Sequence, residues 1–243
     1  MSTDSPSKEP KYVRLKEQLL ELIRDTVSLQ GDCLPSERLL GERFGVSRVT
    51  IRRAVAEIEQ EGLLYRIQGK GAFICKEKIP QYLAKLTSFS DDMRTRDLRP
   101  DSRILALESI TAGSYVAEML KIDPGDPVVL LKRLRLADGE PMAIETCYIR
   151  NEIGAVIMDT IADGVSLYKL FADTCGIKLK YALQSIEIST LKSWEKKLLG
   201  NESPPYALFI KRQTFDIENV PVEYVESKYR SDRYRFHVEL GML

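Results

Sequence analysis

The chain has 243 residues, 44% hydrophobic and 30% charged, an ordinary globular composition with room for one large or two modest domains. Its 36 Lys and Arg balance 36 Asp and Glu, so as a whole it shows no sign of a nucleic-acid or membrane-surface partner. No apolar run approaches the ~18 residues of a bilayer span, four scattered cysteines (33, 75, 147, 175) form no C-x-x-C pair, and the single His237 leaves no His-paired zinc set and little for a Ser-His-Asp triad.

Residues 1–10, rich in Ser, Pro and charge, are expected to be a mobile tail without the apolar stretch of a signal peptide, which places the chain in the cytoplasm. From Tyr12, apolar residues recur at spacings of three and four (Leu15, Leu19, Leu22, Ile23, Val27), predicting a helix to about Ser28. Ser36 is a candidate N-cap for a short helix through Phe44, with Gly45 as its stop. Ser47 caps a second helix that carries Ile51, Ala54, Val55 and Ile58 on one face and ends at Gly62. Two helices joined by so short a glycine-containing turn predict a helix-turn-helix. The apolar segments 63–67 and 72–75 flank a glycine turn and predict a hairpin, which completes a winged unit over 11–75.

The charged, proline-containing segment 76–86 reads as a linker and hinge, and a second domain as 87–243. There the pattern predicts a strand at 102–109, a helix over 113–120 and a long hairpin from Val128 to Ile149 turning at Asp138-Gly139. A helix near 166–175, strands near 181–191, 206–217 and 220–230, and a final edge strand at 235–240 follow. The fold class is therefore α+β: an N-terminal winged helix-turn-helix and a mainly antiparallel sheet with helices. No repeat and no phosphate-binding glycine motif is present, and neither a metal nor a cofactor is expected.

Splitting the charge reverses the first impression. Residues 1–78 hold 14 basic and 12 acidic side chains, and residues 38–53 alone hold Arg38, Arg43, Arg48, Arg52 and Arg53 against Glu42. Arg48 and Thr50 occupy the first turn of the second helix, the end that a recognition helix presents to base edges. A bidentate arginine–guanine contact is worth about 1–3 kcal/mol of discrimination. The Ser47 and Thr50 hydroxyls, the helix-start amides and Arg52 suit phosphates, while Gly69 and Lys70 at the wing tip suit a minor groove.

These segments, Leu34-Pro35-Ser36-Glu37-Arg38, Phe44-Gly45-Val46-Ser47-Arg48-Val49-Thr50-Ile51-Arg52 and Gly69-Lys70-Gly71-Ala72-Phe73-Ile74, resemble the DNA-binding domain of GntR-type bacterial transcriptional regulators. The resemblance implies that Arg38 and Arg48 contact guanines. Ala72 stands where the family's wing has a threonine, so one phosphate contact is lost.

In the second domain Arg133 and Arg135 lie two apart on a strand, so their guanidinium groups share a face and can converge on one oxyanion. Glu223 and Tyr229 share parity on another strand, and Ser166 and Tyr168 begin a helix whose amides favour an anion.

The segments Leu86-Thr87-Ser88-Phe89-Ser90-Asp91-Asp92-Met93, Arg133-Leu134-Arg135, Glu140-Pro141-Met142-Ala143-Ile144-Glu145 and Tyr229-Arg230-Ser231-Asp232-Arg233-Tyr234 resemble the effector-binding UTRA domain of the HutC branch, similar in fold to chorismate lyase. In that resemblance Ser88, Phe89, Ser90, Arg133, Arg135, Ser166 and Tyr168 match a phosphate site, and Glu145, Glu223 and Tyr229 match sugar-ring contacts. It implies a homodimeric repressor of an inverted-repeat operator, controlled by a small anionic effector such as an amino-sugar 6-phosphate. The alternative is a chorismate-lyase-like or sugar-phosphate-processing enzyme with Glu223 or Glu145 as acid.

Overall fold

A computed structural model describes residues 11–25, 33–67, 69, 71–75, 78–83, 85–200 and 205–241. The expected tail 1–10, the part of the expected first helix beyond residue 25, Lys70 and linker positions 76, 77 and 84 lie outside the described residues. The chain forms two compact units, Met1–Glu77 and Lys78–Leu243.

In the first unit α1 (Lys11–Asp25), α2 (Glu37–Phe44) and α3 (Arg48–Gln60) precede the hairpin β1 (Leu64–Ile67) and β2 (Gly71–Ile74). The predicted caps form: Ser36 Oγ accepts from Leu39 N at 3.4 Å and Ser47 Oγ from Thr50 N at 3.2 Å. Gly45 takes φ 64°, the left-handed turn that side chains resist, and so re-aims the chain between α2 and α3. The core is the predicted stripe, with Leu15, Leu19, Leu40, Ile51, Ala54 and Ile58 all buried.

The second unit is built on a six-stranded antiparallel sheet in the order β4-β5-β6-β9-β8-β7. Its strands are β4 (Pro100–Thr111), β5 (Pro127–Ala137), β6 (Glu140–Arg150), β7 (Leu179–Thr190), β8 (Tyr206–Asp216) and β9 (Pro221–Arg230). The Asp138-Gly139 turn takes φ 50° and 77°, both positive as a tight hairpin requires. Four helices were not predicted as such or were bounded differently: α4 (Phe89–Arg94), α6 (Asn151–Met158) and α8 (Ser193–Leu199) are additional, and α7 is Leu167–Asp173. Together with α5 (Ser114–Leu120) they cover both faces. One face packs Val129, Leu131, Cys147 and Ile149 under α6 and α7, the other packs Val128 and Tyr224 under α5, and Leu134 and Ile144 beside α8. Gly154 brings α6 onto the sheet, since a Cβ there would stand 2.5 Å from Val129 Cγ2.

Two expectations are corrected. Within the expected linker 76–86, Ile79–Tyr82 is a strand, β3, and the expected edge strand 235–240 is β10 (Tyr234–His237), which pairs parallel with β3 in a separate two-stranded sheet. Ile79 N donates to Arg233 O at 2.7 Å and Leu83 N to His237 O at 3.1 Å, while Ile79 and Tyr234 enter the core beside Met93 and Tyr229. The segment looks like a linker because its strand partner lies some 150 residues away in sequence and Pro80 occupies it, which a peripheral strand tolerates.

Candidate functional site

The winged unit exposes its arginines. Arg48 stands at the start of α3, exposed and without an ion pair among the described residues. Arg38 and Arg52 are exposed but engaged, Arg38 with Glu42 at 2.8 Å and Arg52 with Glu37 through Nε at 3.1 Å and Nη2 at 3.0 Å. Such exposed pairs exchange readily for phosphate or base partners, because each contributes little in water. The Arg52 pair holds the Glu37 carboxyl below its ordinary value. The Ser47 and Thr50 hydroxyls bond each other at 2.8 Å, and Gly69 takes φ 78° at an open turn. Lys70 lies outside the described residues.

In the second unit, alternation along each strand builds a cavity. The row that carries Val129 and Leu131 into the core continues as Arg133 and Arg135, both 3% exposed. Register places Glu145 opposite Arg133, Ser227 opposite Glu145, and Tyr229 opposite Ala143, which itself faces Arg135. Glu223, Ser227 and Tyr229 from β9, Arg212 from β8, Ser166 and Tyr168 at the start of α7, and Ser88 and Phe89 at the start of α4 join them around about 580 Å³ of free space, mouth included. Nine of the ten predicted residues thus meet; Ser90 is buried within α4 and does not line the cavity.

The two arginines differ. Arg133 Nε donates to Glu145 Oε1 at 3.0 Å, with Nη2 reaching the same oxygen, so this pair is satisfied within the fold. Arg135 has no such partner: its Nε and Nη1 are buried without a hydrogen bond, and its guanidinium lies 4.4 Å from the Phe89 ring centroid. Burial, and then the nearby Arg133, pull Arg135 down to about 10, which leaves it charged near neutrality. Burial works to raise the Glu145 carboxyl, but Arg133 and Arg135 outweigh it and hold the group below its ordinary value. Glu223 is the opposite case, raised chiefly by burial, with Cys147 Sγ donating to Oε2 at 3.1 Å and Thr214 Oγ1 to Oε1 at 2.9 Å. Burial pushes the Tyr229 phenol up to about 12 and raises Tyr168 as well, so both keep a proton to donate. The Ser88 hydroxyl is committed to capping α4, donating to Asp91 Oδ2 at 2.6 Å, whereas Ser166 makes no capping bond and faces the cavity.

Residues 11–74 match the family described as bacterial regulatory proteins, gntR family, and residues 95–235 match the UTRA domain. The chain belongs to the gntR family and carries a UTRA domain. It is similar to the HTH-type transcriptional repressor NagR of Bacillus subtilis (strain 168), 35% identical over 237 residues that span 97% of each chain. It is also similar to the mannosyl-D-glycerate transport/metabolism system repressor MngR of Escherichia coli (strain K12), 33% identical over 94% of this chain and 95% of that one. Among solved structures, PhnF from Mycobacterium smegmatis superposes with a TM-score of 0.65 at 25% identity, covering 93% of this chain and 99% of that chain. This gntR-family chain is a transcriptional regulator rather than an enzyme: the family binds operator DNA, and UTRA domains bind small-molecule effectors.

Four polar residues lining this cavity escaped the sequence reading: Gln81, Thr87, Arg212 and Ser227. Ser227 was accessible in principle, since it shares parity with Glu223 and Tyr229. Arg212 needed the inward face of β8, and Gln81 needed the β3–β10 pairing. Among the described residues no helix is long and apolar enough to cross a membrane.

Proposed function

We propose that the chain is a cytoplasmic homodimeric repressor whose winged units bind an inverted-repeat operator, and whose UTRA cavity takes a small phosphorylated sugar that controls that binding. The observation that carries this reading is Arg135, a buried cation whose Nε and Nη1 have no partner in the protein, beside the satisfied Arg133–Glu145 pair. An oxyanion supplies the missing acceptors, and the cavity offers sugar hydroxyls both donors (Tyr229, Tyr168) and acceptors (Glu145, Glu223). The name of the relative MngR, with its mannosyl-D-glycerate system, agrees with an acidic sugar derivative as the kind of molecule sensed.

In the winged unit, Arg48 and Arg38 read bases, and Ser47, Thr50, Arg52, Gly69 and Lys70 meet the backbone and grooves. Control requires that the effector bind one arrangement of the winged units better than the other; DNA then changes effector affinity by the same factor.

The test is thermal shift on the full chain with glucosamine 6-phosphate, glucosamine, organic acids and urocanate, followed by operator binding in a gel shift. A phosphorylated sugar at 100 times its Kd stabilises the fold by about 2.7 kcal/mol. Equal stabilisation by glucosamine, or a response to urocanate alone, overturns the sugar-phosphate reading.

A further inference from the structure

Beside the cavity lies a second cleft, lined by Tyr82, Leu83 and Lys85 from the end of β3 onward and by Lys180, Tyr181 and Gln184 from β7. Two residues, Gln81 and Arg212, line both spaces and form the wall between them. Three cations, Lys85, Lys180 and Arg212, line this cleft, and no acidic residue does. Arg212 uses Nε on the neutral Gln184 Oε1 at 2.8 Å and contacts the Tyr168 hydroxyl; it makes no direct ion pair among the described residues, and the nearby Glu223, Glu145 and Asp92 carboxylates act on it only at longer range. Lys180 likewise bonds a neutral group, Asn219 Oδ1, at 3.1 Å. Gln81 is 7% exposed, yet its Oε1 has no hydrogen-bond partner. A buried acceptor left open costs about 1–3 kcal/mol, so such a group between two cavities points to a ligand donor passing it.

We propose that this cleft is a second anionic subsite of the effector site, taking a carboxylate or phosphate at the far end of a sugar derivative whose first acid group meets Arg133 and Arg135. A hydroxyl of the connecting chain donates to Gln81 Oε1 at the wall. The strand order fixes the span: β5, which carries the first arginines, lies three strand spacings from β8, which carries Arg212, or ~14 Å between backbones. Side chains reach inward from both ends, so an extended six-carbon ligand acidic at both termini bridges the space. A single phosphate reaches only one end. This inference rests on the sugar-phosphate reading for the identity of the ligand, but the anion subsite is testable without it.

Calorimetry on the full chain compares 6-phosphogluconate, acidic at both ends, with glucose 6-phosphate, and each with the Lys85→Ala/Lys180→Ala variant. Both lysines are exposed, and a thermal melt verifies that the variant folds. The expected result is about tenfold tighter binding of 6-phosphogluconate by the wild type, shrinking to about twofold in the variant. Equal affinities in the wild type, or an advantage that survives in the variant, overturn the proposal. If neither sugar binds, the sugar-phosphate reading fails, and inorganic phosphate decides the subsite. Two classes of phosphate site in the wild type and loss of one in the variant support it, and unchanged phosphate binding overturns it. A variant that weakens operator binding while its ligand preference stays intact also overturns it and makes the cleft a DNA contact.

Discussion

The same residue does opposite work in the two units. In the winged unit the arginines are surface groups: the side chains of Arg38, Arg52 and Arg53 are 57%, 66% and 63% exposed, each with a carboxylate it can exchange. In the sensing unit Arg133 and Arg135 are 3% exposed and fixed by the sheet. An exposed arginine reaches many phosphates at little cost and is screened by salt. A buried one has already lost its water, so it binds few partners, and a correct oxyanion gains a preorganised, weakly screened contact. Under the proposed function, reading a long polyanion and sensing one small molecule use one chemistry at two dielectric extremes.

The largest effect tests the buried side. Arg133→Ala leaves Glu145 without its buried partner, so it is expected to lower stability by about 3–5 kcal/mol in a denaturant melt and to abolish the effector response. Arg135→Met is the sharper probe, because Nε and Nη1 have no hydrogen bond to lose and Met can keep an apolar contact with Phe89: effector response disappears while the melting temperature holds or rises. If Arg135→Met retains the response, the unpartnered donors are not the anion site.

On the exposed side, Arg48→Ala is expected to remove about 1–3 kcal/mol of operator preference over random DNA, with effector affinity intact. Unchanged discrimination in a gel shift removes the assignment. Raising salt from low to physiological strength weakens operator binding steeply and effector binding much less; parallel slopes by anisotropy and calorimetry erase the contrast. Ser47→Ala removes the cap of α3 and is expected to cost about 1 kcal/mol, read as a lower denaturation midpoint.

The smallest effect concerns Glu223. Its carboxyl is raised in the folded chain, so folding takes up a proton between the unfolded and folded values. Stability therefore falls as pH rises from the ordinary carboxylate value of 4.5 through the raised one. Glu223→Gln lacks that loss, and its melting temperature relative to wild type increases between pH 4 and pH 8. A pH-independent difference excludes the buried carboxyl as its source.

The two units also differ in how openly the sequence declares them. Every signal in the winged unit is local: Ser36 and Ser47 meet amides three residues on, Gly45 turns one helix into the next, and the stripe from Ile51 to Ile58 is one face of one helix. The β5–β6 hairpin was legible for the same reason, through Asp138-Gly139. The sensing cavity was half legible. Arg133 and Arg135 announce themselves by parity, but Arg212 is one polar residue in a strand of mixed character, and its inward face depends on pairing with Val225 on β9. Gln81 could not be found, because the strand that carries it exists only when β10 lies alongside.

That last pairing joins opposite ends of the sensing unit. Parallel register puts Tyr234 against Ile79 and His237 against Tyr82, whose rings meet edge to face at 5.2 Å. The segment that follows the winged unit in sequence is therefore clasped by β10, and Gln81 is held at the cavity wall by its pairing with Phe236, far along the chain. A chain truncated before Tyr234 would keep every residue of the winged unit and lose the strand that holds Gln81 in place.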